Sequence, residues 1–534
     1  MFAIQQHRFA ILIALLISIG VMVRLSPLLD EQRMIYSISE DGYLMMTIAR
    51  NMALGSGMST SDGTILTNGT QPLATALWTI GYWVMNGDKI KGIMWVILMQ
   101  FIISSLAAVL LWQGSKKILR QHPTAGIIAA LAAATWYASP IITRHTMNGL
   151  ETGLYALCLI GVAMIFSLTV HCWSMRRCVG LGMLLGVTFW ARNDAVFFIF
   201  AICVTHLLLG PLDFNQLKQR FLQVLVIGTT SVVIASPWLI NNLLNFGSLM
   251  PISGHSQSLN IEFADNFWKM PPIIIEYLLA FSPIPYKTQT WMIVICTLMV
   301  FAVFGLFAHL WPRFNMIQRR LVMLVSIYSL CLVCFYGFYF GAGHFTSRYL
   351  FPTTPFLVLL WASIIVFVWQ HKYLTKLRPI KPVFVLLFIS IVVGLHIRSY
   401  QSGYLLAYTS SHRFIQLVEW VKKNVDTEVW IAGTQTGTLG YFYDRTINLD
   451  GKVNPEALKA RNERQISQYV LKKNIQYIVD WALIMKFWPT DKPLIQENFE
   501  LIVFEPQKGY FGLAVLRRKG ISYSRPASSP PISF

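Results

Sequence analysis

Residues 9–23, "FAILIALLISIGVMV", contain no ionisable side chain, and residues 37–57, "SISEDGYLMMTIARNMALGSG", follow them closely. The first stretch opens a segment, about 9–29, long enough to cross a bilayer. The second brings two adjacent carboxylates, Glu40 and Asp41, to the point where the chain should emerge into water. No small-x-small cleavage site separates them, so the apolar run reads as an uncleaved anchor. A crossing followed at once by an acidic, helix-forming loop sets the architecture expected for the rest.

Of the 534 residues, 55% are hydrophobic and 13% charged, against about 25% charged in soluble domains. The mean hydropathy is +0.53. Apolar runs of roughly 20 residues recur along most of the chain, which predicts a polytopic α-helical membrane protein. Spans fall at about 9–29, 91–112, 124–142, 152–170, 179–191, 195–210, 221–240, 288–310, 321–340, 349–370 and 382–397, about eleven crossings. The pair 179–191 and 195–210 is short, and Arg192, Asn193 and Asp194 lie at its bend. A polar bend at that depth must be buried in protein or line a watery cavity. Residues 73–85, "LATALWTIGYWVM", are also short and are expected to lie flat on the outer surface.

The net charge of +19 does not point to a nucleic-acid partner, because of where the charges lie. Lys116, Lys117 and Arg120, Arg176 and Arg177, Lys218 and Arg220, Arg313, Arg319 and Arg320, and Lys372, Lys376, Arg378 and Lys381 occupy alternate loops. The other loops carry Asp30, Glu31, Glu40, Asp41, Asp62, Glu151, Asp194, Glu262 and Asp265. This is the positive-inside pattern: the amino terminus is cytoplasmic, and the acidic loops and everything after residue 398 face outward. The seven cysteines fall in spans or cytoplasmic loops, so no disulfide framework is expected. The Cys331-x-x-Cys334 pair lies within an apolar run, where packing accounts for it.

Three parts follow: a membrane domain over 1–397, a small α/β domain over 398–522 and a disordered tail over 523–534. The membrane domain includes a long outer loop, 30–90, with helices along the membrane surface. In it Ser39 can cap a helix from Tyr43 to Leu54, ended by Gly55 and Gly57. Tyr43, Thr47, Arg50 and Asn51 share one face, and Met45, Ile48 and Met52 the other, as an interfacial helix requires. "SDGTILTNGTQP" should reverse the chain; its Asn68 fits a glycosylation sequon but reads more simply as an Asn-Gly turn. In the tail, "RFIQLVEWVKKNV" has helical period, "EVWIAG" and "QYIVDW" read as buried strands, and "FELIVFEP" with "FGLAVLRR" as a strand pair.

The outer face collects Glu40, Asp41, Arg50, Arg144, His145, Glu151, Arg192, Asp194, His255, Lys269, His344 and Arg348. Carboxylates beside cations suit one reaction: a carboxylate takes the proton of an acceptor hydroxyl while cations hold a phosphate leaving group. No phosphate-binding G-x-x-x-x-G-K-[ST] loop, dinucleotide fingerprint or D-x-D metal clamp is present. A phosphate-bearing substrate at this face is therefore a polyprenyl-phosphate lipid rather than a nucleotide.

The segments "EDGYLMMTIARNMALGSG", "NGTQPLATALW", "MNGLETGLYA", "FWARNDAVFF", "NNLLNFGSLMPISG", "HFTSRYLFPTTP" and "IAGTQTGTLGYFYDRTINLDGKVNP" span residue 40 to about 455. Their order resembles the GT-C superfamily of membrane glycosyltransferases that use polyprenyl-phosphate sugars. It is similar above all to the branch of mycobacterial terminal arabinofuranosyltransferases and bacterial mannosyltransferase-like proteins. The resemblance implies that the acidic pair supplies the catalytic base, with the first carboxylate preferred. The family usually shows Asp-Asp or Asp-Glu there, so the Glu-Asp order leaves open whether Glu40 or Asp41 is the base. It implies that Arg348 and His344, with Arg192, meet the donor phosphate, and that Tyr43, Arg50, Glu151, Asp194 and Lys269 line the pocket. A divalent ion at Glu40 and Asp41 is compatible with this chemistry and not required by it; no other cofactor is expected.

The implied activity is inverting transfer of a monosaccharide, arabinofuranose or a hexose such as mannose. The acceptor is an envelope glycan, glycolipid or surface protein on the periplasmic side of a bacterial inner membrane, and the enzyme a monomer. The alternatives are an oligosaccharide polymerase or ligase, and a transporter or lipid flippase. Against a transporter stand the absent repeat symmetry and the sizeable outer domain. For single residues the structural alternatives are helix capping for the acidic pair, an ion pair at helix ends for Glu151 and Arg192, and an interfacial anchor for Lys269.

Overall fold

Ser39 lies extended ahead of the helix that follows it, and its hydroxyl accepts the Gly42 N–H, so that helix begins at Glu40 rather than Tyr43. The computed structural model that shows this describes residues 2–170, 173–210, 213–258, 262–281, 289–341, 343–370, 387–397 (apart from 389, 392 and 396), 409–482, 492–505 and 512–520. The tail 523–534, the boundary at 398 and part of the expected span 382–397 lie outside the described residues.

The first helix, α1 (Phe2–Leu25), leads into α2 (Glu31–Ser37) and α3 (Glu40–Ala53), which gives way to Gly55 and Gly57 at φ +89° and +64°. Strands β1 (Ser59–Thr60) and β2 (Ile65–Leu66) make the expected reversal as an antiparallel pair. Helices α4 (Pro72–Val84), α5 (Lys89–Ile118), α6 (Ala125–Ala138), α7 (Pro140–Thr146), α8 (Thr152–Leu168), α9 (Met175–Ala191) and α10 (Ala195–Leu208) follow. Then come α11 (Phe214–Phe246), α12 (Ile252–Gln257), α13 (Met270–Leu279), α14 (Thr290–Leu310), α15 (Met316–Cys334), α16 (Thr346–Leu350) and α17 (Thr354–Gln370).

Among the described residues six helices are long and apolar enough to cross a membrane, or seven if α6 and α7, bent by 63°, count as one span. This is fewer than the eleven crossings expected: α8, α9 and α10 are short, and the expected span 382–397 lies partly outside the described residues. Apolar α8 and α10 have only 17 and 14 residues. At 1.5 Å per residue, α10 covers about 21 Å of a core about 30 Å thick. As expected of a short pair with a polar bend, Arg192 and Asp194 are buried in protein.

The carboxyl-terminal domain is a five-stranded mixed sheet of order β4-β3-β5-β7-β6, preceded by α18 (Thr409–Asn424). Strand β3 (Ile431–Gly433) runs parallel to β4 (Thr446–Asn448) and β5 (Tyr477–Trp481). β7 (Leu513–Arg518) pairs antiparallel with β5 and with β6 (Phe499–Glu505). Helix α19 (Gly437–Phe442) joins β3 to β4. The expected strands are present; β4, only three residues long, has no counterpart in the sequence reading.

This domain sits on the segment 30–90. The Tyr82 and Tyr441 hydroxyls lie 2.7 Å apart, and the Tyr43 and Tyr441 rings 5.0 Å apart. Ser61 Oγ donates to the Thr446 carbonyl at 2.7 Å, and Ser256 Oγ to that of Asp450 at 2.6 Å. Helix α3 is thus packed between α4 and α19, not laid amphipathically on the interface, and its supposedly polar Tyr43 is wholly buried. Asn68 is likewise not a hairpin turn. It is buried, its Nδ2 donating to Asn242 Oδ1 and its Oδ1 accepting the Ile252 N–H, both at 3.0 Å. A buried amide needs all its partners, and these tie the segment after β2 to α11 and α12.

Candidate functional site

Five chain segments meet where α3 begins: its own first turn, the start of α8, the α9–α10 bend, α16, and the turn after β4. Arg348, on α16, links the first two. Its Nη1 donates to Asp41 Oδ2 at 3.1 Å, and its Nη2 to both Glu151 oxygens at 3.1 and 3.2 Å. Glu151 is fully buried, and Arg192 Nε lies 3.9 Å from it. Arg192 also donates to Asp194 Oδ2 at 2.7 Å and to the Arg348 carbonyl at 3.3 Å. A π-helical turn, Phe335–Tyr339, presents Tyr336, whose hydroxyl donates to the same Asp194 oxygen at 2.9 Å.

The docked domain closes the other side. Gly451, at φ +79°, shapes a turn in which its N–H meets Asn448 Oδ1 at 3.0 Å. That turn carries Lys452, whose Nζ stands 3.7 Å from Asp41 and 3.5 Å from Asp450. Gly69 permits the approach: a Cβ there would lie 2.0 Å from the Lys452 carbonyl oxygen.

The two adjacent acids have opposite surroundings. Glu40 faces the first turn of α19: its Oε1 accepts the Gly437 N–H, and its Oε2 accepts the Thr438 N–H at 3.0 Å and hydroxyl at 2.5 Å. Burial pushes the Glu40 carboxyl up to about 7, against the pull of these donors. Burial also pushes Asp41 up, but Lys452, Arg348 and His344 outweigh it and hold that carboxyl below its usual value. Lys452 is raised despite its burial by Asp41 and Asp450. Glu40 and Asp41 thus face different partners, and among the described residues no three His, Cys, Asp or Glu side chains converge as metal ligands.

His344 stands exposed at the rim, its ring 4.1 Å from that of Phe345, over which Lys452 Nζ also lies at 5.4 Å. Lys269 flanks this rim beside Gly343, its Nζ donating to Asn266 Oδ1 at 2.8 Å. The structure thus brings together Glu40, Asp41, Glu151, Arg192, Asp194, His344, Lys269 and Arg348. Two expected lining residues are elsewhere. Tyr43 donates to the Ile35 carbonyl at 2.7 Å inside the α3–α19 interface. Arg50 donates to the Gly87 carbonyl at 2.7 Å and, with Lys89, pairs with Asp444. Sequence reasoning passed over Lys452, Asp450, Thr438 and Tyr336; the first three lie in the motif "TQTGTLGYFYDRTINLDGKVNP", whose Asp-Gly turn was the available signal.

A family model described as a domain of unknown function, DUF8728, matches residues 399–523. No curated protein sequence matches the chain. Among solved structures, it is similar to ArnT from Cupriavidus metallidurans bound to undecaprenyl phosphate, with a TM-score of 0.59, 14% identity, and coverage of 94% of this chain and 97% of that one. It is also similar to the archaeal oligosaccharyltransferase AglB from Archaeoglobus fulgidus in complex with an inhibitory peptide and a dolichol-phosphate. That match has a TM-score of 0.52 and 12% identity, covering 97% of this chain and 75% of that one. At these identities the likeness is one of fold, a multi-pass helical membrane domain with a carboxyl-terminal domain.

Proposed function

We propose that this protein transfers a sugar from a polyprenyl-phosphate donor to an acceptor hydroxyl, with inversion, at the outer (periplasmic) face. The observation that carries the reading is Asp41 held between Arg348 and Lys452, a carboxylate and two cations converging at one point. The fold supports it, since ArnT binds undecaprenyl phosphate and AglB a dolichol-phosphate.

In the reaction the acceptor oxygen loses its proton to a carboxylate and bonds to the anomeric carbon. The bond from that carbon to the phosphate oxygen breaks, and polyprenyl phosphate departs with its charge on Arg348 and Lys452, with His344 and Lys269 at the rim. Arg348 Nε and Asp194 Oδ1 are buried without a hydrogen-bond partner among the described residues, so the cluster keeps polar capacity for a ligand. Fixed cations aimed at a departing phosphate lower the barrier without reorganising during the reaction.

Asp41 is the base. On acidity alone Glu40 is the better candidate, because a base works best near the working pH. The surroundings favour Asp41 instead: both Glu40 oxygens are occupied by α19 donors, and Glu40 serves to hold the docked domain. Asp41 is ionised at neutral pH, and a donor phosphate competing for Arg348 and Lys452 frees its oxygens and raises its basicity. The sugar is arabinofuranose or a hexose. The acceptor is an envelope glycan, a glycolipid or a surface protein.

The test is transfer from synthetic polyprenyl-phosphate sugars by the purified full-length protein. Asp41→Asn is expected to lower turnover by about 10²–10⁴-fold. Full activity in an Asp41→Asn, Glu40→Gln double variant would overturn the proposal. Mass spectrometry of the product distinguishes a single sugar from a transferred oligosaccharide.

A further inference from the structure

Helices α5 and α8 run away from the charged cluster and α9 and α15 run back toward it, and the ends of the four that lie far from the cluster surround an open recess of about 1220 Å³. Its wall is built from Trp112, Lys116, Lys117 and Arg120 at the end of α5, Leu168 at the end of α8, and Arg177, Met316 and Ile317 at the starts of α9 and α15. Helix α5 has 30 residues, which places this cavity about 45 Å along its axis from Lys89, beside the docked domain. The charge bias assigns this end to the cytoplasm.

Topology alone explains why basic residues are frequent at this face. It does not explain their convergence on one recess with no acidic residue among those lining it. Neighbouring arginines spend their donors on the protein: Arg319 on the Trp311 and Pro312 carbonyls, Arg320 on those of Phe166 and Thr169. Lys116, Lys117 and Arg120, by contrast, make no side-chain hydrogen bond or ion pair with the described residues. The positive ends of α9 and α15 face the same space, α15 beginning with a complete capping box at Asn315. From the cavity mouth an exposed apolar stripe, Ile102, Leu106, Val109 and Leu110, runs up α5 at helical spacing.

We infer that this cavity binds the phosphate headgroup of an anionic membrane lipid, with Lys116, Lys117 and Arg120 on the phosphate and the acyl chains along the α5 stripe past Trp112. The chemistry recognised is a phosphate anion, and the stripe identifies its source as a lipid rather than free phosphate. No bond is made or broken. The site is separate from the sugar-transfer reading and does not depend on it.

The experiment uses the full-length protein in detergent micelles and lipid nanodiscs. Native mass spectrometry counts retained phosphatidylglycerol against phosphatidylethanolamine, and thermal melting is followed with each lipid and with inorganic phosphate. Wild type is expected to retain phosphatidylglycerol selectively and to melt higher with it. The triple variant Lys116→Gln, Lys117→Gln, Arg120→Gln should lose that affinity by on the order of 100-fold, each basic side chain near an anionic surface contributing about five-fold. Lys116→Arg with Lys117→Arg should keep it, as should a control that removes three lysines elsewhere, Lys218→Gln, Lys423→Gln and Lys472→Gln. Equal loss in that control, or retention by the triple variant, overturns the inference. Inorganic phosphate raising the melting point of wild type as much as the lipid does overturns the lipid as the source.

Discussion

Helices α8 and α9 join two charged regions that are built on opposite rules. At one end, Asp41, Glu151 and Asp194 alternate with Arg192, Arg348 and Lys452; Glu151, Arg192 and Asp194 are buried and the other three part-buried. At the other, lysines and arginines stand exposed around a cavity without an acid on its wall. Burial enforces the first arrangement, because an isolated ion away from water costs far more than a paired one. Exposure permits the second, because water solvates charges such as those of Lys116, Lys117 and Arg120. A balanced cluster is poised for chemistry in which charge moves; an unbalanced one is ready for a ligand that brings its own charge.

The sharpest way to break this contrast is at Arg348. Arg348→Met leaves buried Glu151 with only the distant Arg192 and leaves Asp41 with Lys452 alone. A loss of about 3–5 kcal/mol is expected in chemical denaturation, with loss of sugar transfer. A variant as stable as wild type would mean that the cluster is not energetically coupled. Asp41→Asn is the complementary change: it should lower turnover by about 10²–10⁴-fold while polyprenyl phosphate binds at least as tightly, because a competing anion has been removed. Titration of the spent lipid into the variant measures this.

A smaller effect is expected at the seam between α3 and α19. A Cβ on Gly437 would lie 1.9 Å from the Glu40 carbonyl oxygen, so Gly437→Ala must push α19 off α3. A cost of about 1–3 kcal/mol is expected, read as easier proteolytic release of the carboxyl-terminal domain. Glu40 adds a pH dependence. Its carboxyl, pushed up to about 7, binds its proton more tightly in the folded chain than in the unfolded one, where it titrates near about 4.3. Between those values the folded state holds more protons, so stability falls as pH rises through that window and levels off above it. Glu40→Gln should flatten the slope of melting temperature against pH between about 4.3 and about 7. The smallest effect belongs to the far end. In detergent without anionic lipid, Lys116→Gln with Lys117→Gln should change stability by no more than about 0.5 kcal/mol, since exposed charges lacking protein partners have little to lose.

Much of this was readable from residues alone. The apolar run at 9–23, the alternation of basic and acidic loops, the Ser39 cap and the buried bend at Arg192 and Asp194 each follow from a local rule. Local rules failed where a second segment intervened. Tyr43 and Arg50 have the spacing of a polar helix face, but α19 and Asp444 cover that face. Asn68 has the sequence of a turn, but Asn242 and Ile252 claim its side chain. Lys452 lies 411 positions from Asp41 along the chain, too far for any spacing argument to pair them.

The sequence by itself determined the membrane class, the charge bias that separates the two faces and the set of acids and cations available for chemistry. These depend on composition and on short-range period, which the bilayer reads one segment at a time. Only the tertiary structure decided which of two neighbouring acids meets the cations. Side chains at positions 40 and 41 leave a helix about 100° apart, so one faces α19 and the other Arg348 and Lys452. What each carboxylate can do is set by those distant partners and not by its own neighbours in the chain.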